Sequence, residues 1–268
     1  MPTITINDAE IFYETFGDDP SLSLRPDRAP VLLIHGSTID GPTDWCDIAP
    51  ELAKHYKVFV PDCRGHGRSN NPNMSYSFKE LASDTAAFIR AMGYERAHII
   101  GHSNGGNVAL VTLMEHPDVV QTCIPQAANA FVTQYLIERE PVVFDPERVA
   151  SEVPEWMNEM ILLHGEVNGQ EYWRDLLQMT LKEIITEPNY TPADLAKVTK
   201  PVLVIMGAED TVNAPDRHGQ YIAENIPNAE MWIPEKTEHN VHKDRRDEWL
   251  AKVLDFLERR GKSRMNDE

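Results

Sequence analysis

A chain of 268 residues with 41% hydrophobic and 25% charged side chains is too apolar to be disordered. It is long enough to bury a large core, and one domain carrying an insertion is expected. A formal net charge of −18 argues against nucleic acid or an anionic membrane surface as a partner, and no stretch approaches the ~20 apolar residues of a membrane span.

At the N-terminus Ile4, Ile6, Ile11 and Tyr13 alternate with polar neighbours around Asn7 and Asp8, as in a hairpin, and nothing there reads as an export signal. Short apolar runs at 31–34, 58–60, 98–100, 120–124, 202–206 and 229–233 are predicted strands. Near-continuous hydrophobicity over four or five residues suits strands covered on both faces. Helical patterns at 48–55, 78–92, 107–116, 215–224 and 247–259 alternate with them. This order predicts an α/β domain, with a mostly parallel sheet, helices on both faces and the antiparallel hairpin at one edge.

The alternation lapses between 128 and 199, where helices are predicted at 149–163 and 171–187 with turns near Gly165 and Pro188. From 128 to 195 thirteen Asp and Glu stand against four Lys and Arg, an excess that usually marks a solvated face. Helices inserted after a strand's C-terminal end lie over the crevice where open sheets bind ligands. The expected division is therefore a core of 1–127 and 200–261, a helical cap of 128–199 and a disordered tail of 262–268. Cys46, Cys63 and Cys123 are odd in number and lack a CxxC pair, which reads as free thiols in a reducing cytoplasm.

The most specific motif is Gly101, His102, Ser103, Asn104, Gly105, a GxSxG pattern between the 98–100 strand and the following helix. A serine on so sharp a turn has its hydroxyl exposed, and the two glycines lack the Cβ atoms that would obstruct the turn. The amide of Asn104, at the start of the helix, points to where an anion would form, with the helix dipole behind it. A serine hydroxyl needs a base to take its proton. A loop after the last strand offers two, His239 and His242, in the run Thr237, Glu238, His239, Asn240, Val241, His242. An imidazole base needs a carboxylate to fix its tautomer, and Asp210 follows the 202–206 strand through Gly207, Ala208 and Glu209. Glu209 is expected to point away and Asp216 to cap a helix. The HxxH spacing of His239 and His242 also suggests a metal. Zinc usually takes three protein ligands, however, and neither HExxH nor a carboxylate in register accompanies the pair. His55, His98, His116, His164 and His218 have no motif around them and read as solvated or structural.

Five landmarks in order resemble the α/β hydrolase superfamily over 30–259. They are His35 and Gly36 after the first core strand; Asp62, Arg64, Gly65, His66, Gly67 and Ser69 after the second; the elbow at Ser103; the run 201–210; and a histidine near the C-terminus. The resemblance implies the α/β hydrolase fold with an inserted helical cap, and a catalytic triad of Ser103, Asp210 and His239 in the superfamily's chain order. It favours His239 over His242, although Glu238 stands where the family often has glycine. It also implies that Ser37, after the His-Gly pair, supplies the second oxyanion amide beside Asn104, and that His35 braces this loop. Haloalkane dehalogenases and epoxide hydrolases of this fold carry aspartate at the elbow, so Ser103 points away from their chemistry.

No nucleotide-binding glycine pattern occurs elsewhere, so no cofactor is expected; a small molecule and water are the substrates. In the cap, Trp156, Met160 and Trp173 are the predicted substrate-binding residues, although most such side chains serve packing. The expected activity is hydrolysis of a small carboxylic ester or lactone through an acyl-enzyme. A carbon–carbon bond hydrolase, an aminopeptidase, and a ligand-binding receptor that retains the triad with slow turnover stay open. Carbon–carbon hydrolases of this fold often have glycines after the His-Gly pair, where this chain has Ser37, Thr38, Ile39 and Asp40.

Overall fold

Strands β1 (Thr3–Ile6) and β2 (Ala9–Phe16) form the expected hairpin, with Asn7 at its turn in the left-handed region, φ 53°, which asparagine tolerates better than most residues. The computed structural model describes residues 2–18 and 29–261; the tail expected at 262–268 lies outside the described residues. The remaining strands are β3 (Val31–Ile34), β4 (Val58–Pro61), β5 (Ala97–His102), β6 (Val120–Gln126), β7 (Leu203–Ile205) and β8 (Glu230–Trp232). They make one sheet in the order β1-β2-β4-β3-β5-β6-β7-β8. β2 meets β4 antiparallel, and every pairing from β4 to β8 is parallel.

All four residues of β3 are buried, because successive side chains enter different cores. Leu32 and Ile34 join Ile99, Cys123 and Val204 against Phe78, Leu81 and Phe88 of the helix Phe78–Ala91. Val31 and Leu33 join Ile100, Ile124 and Leu203 against Trp45, Trp249 and Phe256, the last two from the C-terminal helix Arg246–Arg260. The period of two thus builds a three-layer domain from short uniform runs. Buried Arg64 fastens the loop after β4 to both neighbours, pairing with Asp84 at 2.6 Å, with Glu80 at 2.9 Å and with Asp8 of the hairpin turn at 2.8 Å.

Two short helices flank the predicted pattern. Gly41–Trp45 starts on Asp40, whose side chain accepts from Thr43 N at 2.8 Å, and Val241–Asp244 follows the last loop. The predicted helix at 48–55 contracts to Ala49–Leu52.

Between β6 and β7 lie the helices Gln134–Val143, Pro146–Glu152, Pro154–Asn168 and Tyr172–Ile184, then the short Pro192–Leu195. The predicted helix 149–163 is divided at Val153 (φ −134°, ψ 52°), because Pro154 has no N–H for a continuing helix and starts a new one instead. The turn expected near Gly165 falls at Gly169 (φ 104°), and Gly165 is inside Pro154–Asn168. The inserted helices share their own apolar cluster of Phe144, Val149, Met160, Trp173 and Leu177. Among the described residues, no helix is long and apolar enough to cross a membrane.

Candidate active site

Ser103 stands between β5 and the helix Asn104–Glu115 with φ 55° and ψ −117°, a conformation that costs a non-glycine residue roughly 1–3 kcal/mol. Backbone bonds on both sides hold it there: Ser103 N donates to Gln126 O of β6 at 2.9 Å, and Asn107 N donates to Ser103 O at 3.0 Å. The turn is so tight that a Cβ on Gly101 would lie 1.9 Å from the Gly105 carbonyl oxygen. β3 has β4 on one side and β5 on the other, so the loops after β3 and β5 leave the sheet at the switch point that forms a ligand crevice. Ser37 follows β3, and Ser37, Ser103 and Asn104 line one pocket of about 420 Å3 of empty space, part of it open to solvent. The first amides of the Asn104 helix have no intrahelical acceptor.

Asp210 and His239 meet at the ends of separate loops. Asp210 is buried; its Oδ1 accepts from Val212 N at 2.9 Å and Asn213 N at 3.0 Å, and its Oδ2 lies 2.8 Å from His239 Nδ1. The carboxylate therefore holds the proton on Nδ1 and leaves His239 Nε2 as the acceptor, the tautomer a general base needs. Gly207 makes the approach possible, because a Cβ there would lie 1.9 Å from the Glu238 carbonyl oxygen. Glu209 is exposed, as expected. The His239 ring lies 5.2 Å from that of His102, the residue before Ser103.

The two histidines of the HxxH run serve different carboxylates. His242 Nε2 lies 3.2 Å from Asp44 Oδ1, and His102 Nδ1 lies 2.9 Å from Asp44 Oδ2. The Gln126 side chain accepts from Trp249 Nε1 at 2.7 Å and donates to His242 Nδ1 at 2.8 Å, which leaves the His242 proton on Nε2, facing Asp44. Burial pushes the His102 pKa down to about 4 even beside Asp44. Asp44, His102 and His242 offer ligand atoms within 4.8 Å of one another, the one group among the described residues spaced to hold a metal ion. Asp44 Oδ1 already has a cation, the Lys243 ammonium at 3.0 Å. His35 braces its loop, accepting from Cys63 N at 2.9 Å through Nε2 and donating to Gly36 O at 2.7 Å through Nδ1.

The inserted helices reach these loops through residues that carry no motif. His164 accepts from Gly67 N at 2.7 Å and donates to Thr38 O at 3.1 Å; Trp156 Nε1 donates to Thr38 Oγ1 at 3.1 Å; Asn168 Nδ2 donates to Ser69 O at 3.0 Å. Of the predicted substrate-binding residues, Met160 and Trp173 are buried in the helices' own cluster, and Trp156 packs against it while reaching Thr38. None of the three lines the pocket at Ser103; Leu136, Glu140, Phe144 and Ile184 do so from the inserted helices. Apolar periodicity shows that a face is buried and not what buries it.

Two acidic residues of this segment also turn inward. Glu140 is 2% exposed, lines the Ser103 pocket and pairs with Arg139; burial raises its pKa, against the pull of Arg139 and His239. Glu183 is 1% exposed and accepts from Asn104 Nδ2 at 2.6 Å, while its Oε1 has no partner. Burial raises its pKa well above the usual carboxyl range, against the pull of the hydrogen bond from Asn104. An acid that binds its proton more tightly when folded is most favourable below its unfolded pKa, and folding stability falls as pH rises towards the folded value. Glu183→Gln keeps the shape and the acceptor for Asn104 without that cost. Calorimetry is expected to show Glu183→Gln melting several degrees above wild type at pH 8 and close to it at pH 4; an equal difference at both would count against a raised Glu183 pKa.

A serine in a strained elbow after a parallel strand, with a buried carboxylate paired to a half-buried imidazole on two later loops, defines an α/β hydrolase architecture. Residues 29–181 match the alpha/beta hydrolase fold family, and the chain belongs to that family. It is 23% identical over 264 residues to the serine hydrolase BPHL of Homo sapiens, covering 95% of this chain and 85% of that one. It is 24% identical over 246 residues to 2-hydroxy-6-oxo-6-(2'-aminophenyl)hexa-2,4-dienoic acid hydrolase of Metapseudomonas resinovorans, covering 86% and 84%. The crystal structure of the enol-lactonase from Burkholderia xenovorans LB400 superposes with a TM-score of 0.74 at 20% identity, covering 96% of this chain and 99% of that one.

Proposed function

We propose that this protein is a serine hydrolase of small carboxylic esters or lactones, with Ser103 as nucleophile, His239 as general base and Asp210 as its orienting acid. The observation that carries the reading is the 2.8 Å contact of His239 Nδ1 with Asp210 Oδ2, which prepares Nε2 to accept a proton. Ser103 Oγ adds to the substrate carbonyl as its proton passes to His239 Nε2. The oxyanion is met by the backbone amides of Ser37 and Asn104. His239 then returns the proton to the leaving alcohol; water, deprotonated by the same imidazole, adds to the acyl carbonyl, and the acid leaves as that proton passes to Ser103 Oγ. Residues 128–199 act as a cap in this reading, supported by the bonds of Trp156, His164 and Asn168 to the loops below.

Carbon–carbon bond hydrolysis is the second reading, favoured by the likeness to the Metapseudomonas resinovorans enzyme. One experiment separates these readings: turnover measured on 4-nitrophenyl esters, lactones, amides and a dienol diketone. Many turnovers on esters or lactones are expected. Preference for the diketone would favour the second reading, and a burst of one equivalent that then stops would favour a receptor.

A further inference from the structure

We propose that Asp44 is a positioning residue: one buried carboxylate sets the relative placement of the three loops that carry the oxyanion donor, the nucleophile and the base. The inference rests on the triad reading above. Asp44 is 2% exposed in the helix Gly41–Trp45. Its Oδ2 accepts from Gly36 N at 3.0 Å and His102 Nδ1 at 2.9 Å, and its Oδ1 accepts from His242 Nε2 at 3.2 Å and Lys243 Nζ at 3.0 Å. Gly36 precedes Ser37, His102 precedes Ser103, and His242 and Lys243 lie one turn after His239. Each proposed reacting group thus has a near neighbour on the same carboxylate.

The loops involved are far apart in sequence: Asp44 reaches 58 residues to His102 and 198 to His242. A carboxylate offers about four lone-pair sites, and here four donors occupy them. Burial by itself would raise the Asp44 pKa, and its contacts with His102 and His242, which donate to it, hold it well below the usual carboxylate range, so the anion is the working state. The His102 ring lies 4.5 Å from that of His242 and 5.2 Å from that of His239, so a shift at Asp44 reaches the base through packed rings. Neutral loop anchoring needs one acceptor per loop; a single shared anion fixes the loops relative to each other. Catalysis depends on that relation, because misplacing a reacting group by about 1 Å can cost ~100-fold.

The test is Asp44→Asn, which keeps the volume but replaces one acceptor oxygen with an amide that faces donors. Active sites are first counted by fluorophosphonate titration, and kcat and KM for 4-nitrophenyl acetate are then expressed per titrated site. The expected result is a kcat about 10- to 100-fold lower with KM within about twofold of wild type. His242→Gln, which cuts only the link to the base loop, is expected to lose about 10-fold, and it decides the matter on the same criterion if Asp44→Asn does not fold. A role confined to stability would lower the titrated fraction or the melting temperature and leave kcat per site unchanged. That result in a folded variant overturns the inference. A wild type that turns over substrate but takes up no fluorophosphonate at Ser103 would instead overturn the triad reading.

Discussion

Ser103→Ala is expected to lower kcat on 4-nitrophenyl acetate by ~10^5 or more, a loss typical when a serine nucleophile is removed. In the proposed mechanism no acyl-enzyme forms without Oγ, and only the proposed oxyanion amides and substrate binding remain, worth ~10^3–10^4 over water in such sites. The substitution leaves the fold intact for a local reason. Alanine bears the same Cβ as serine and meets the same strain at φ 55°, while Ser103 is anchored to Gln126 and Asn107 through its backbone alone. Unchanged melting with lost turnover is therefore expected, measured by circular dichroism and steady-state kinetics on the same preparation. Turnover within 10-fold of wild type would mean that the reacting group lies elsewhere.

Asp210→Asn is expected to cost ~10^4 in kcat while leaving the loop in place. The side-chain oxygen of the asparagine would face the Val212 and Asn213 amides, which now donate to Asp210 Oδ1. Its NH2 group would then face His239 Nδ1 and force the ring to accept there, moving the imidazole proton to Nε2, the atom that takes the serine proton in the proposed mechanism. The wrong tautomer blocks the base without disturbing the pocket. The loss should accordingly appear in kcat with KM little changed, and Asp210→Ala, which removes the orienting group without imposing a tautomer, should show a dependence on pH different from that of Asp210→Asn. Equal activity of Asp210→Asn and wild type would show that Asp210 does not orient the base.

The central sheet and the elbow are legible in the sequence because each imposes a local rule. β3, covered on both faces, leaves only apolar residues in a run of four, and the tight approach at Gly101 leaves no room for a side chain. Asp210 and His239 are legible as residues on loops at the right place in the chain order. What joins them is less so, since the close approach of Gly207 to Glu238 depends on two loops with no common pattern.

The inserted helices are the opposite case. Met160 and Trp173 stand on two different helices, and a large apolar residue looks the same whether it faces a ligand or a neighbouring helix; here both face helices. Glu140 and Glu183 belong to an acidic stretch that reads as a solvated face; their burial follows from the tertiary position of two helices and has no signal in charge or period. Asp44 escapes notice for another reason. Its helix is only five residues long, and two of its partners, His102 and His242, lie 58 and 198 residues further along the chain.

The most direct measurement of the central proposal is peptide mapping of the native protein after reaction with a fluorophosphonate. One adduct per chain, on the peptide containing Ser103 and absent from Ser103→Ala, is expected, with ester turnover lost in proportion to labelling. An adduct on another residue, or turnover that persists in fully labelled protein, would contradict the assignment of Ser103 as the nucleophile.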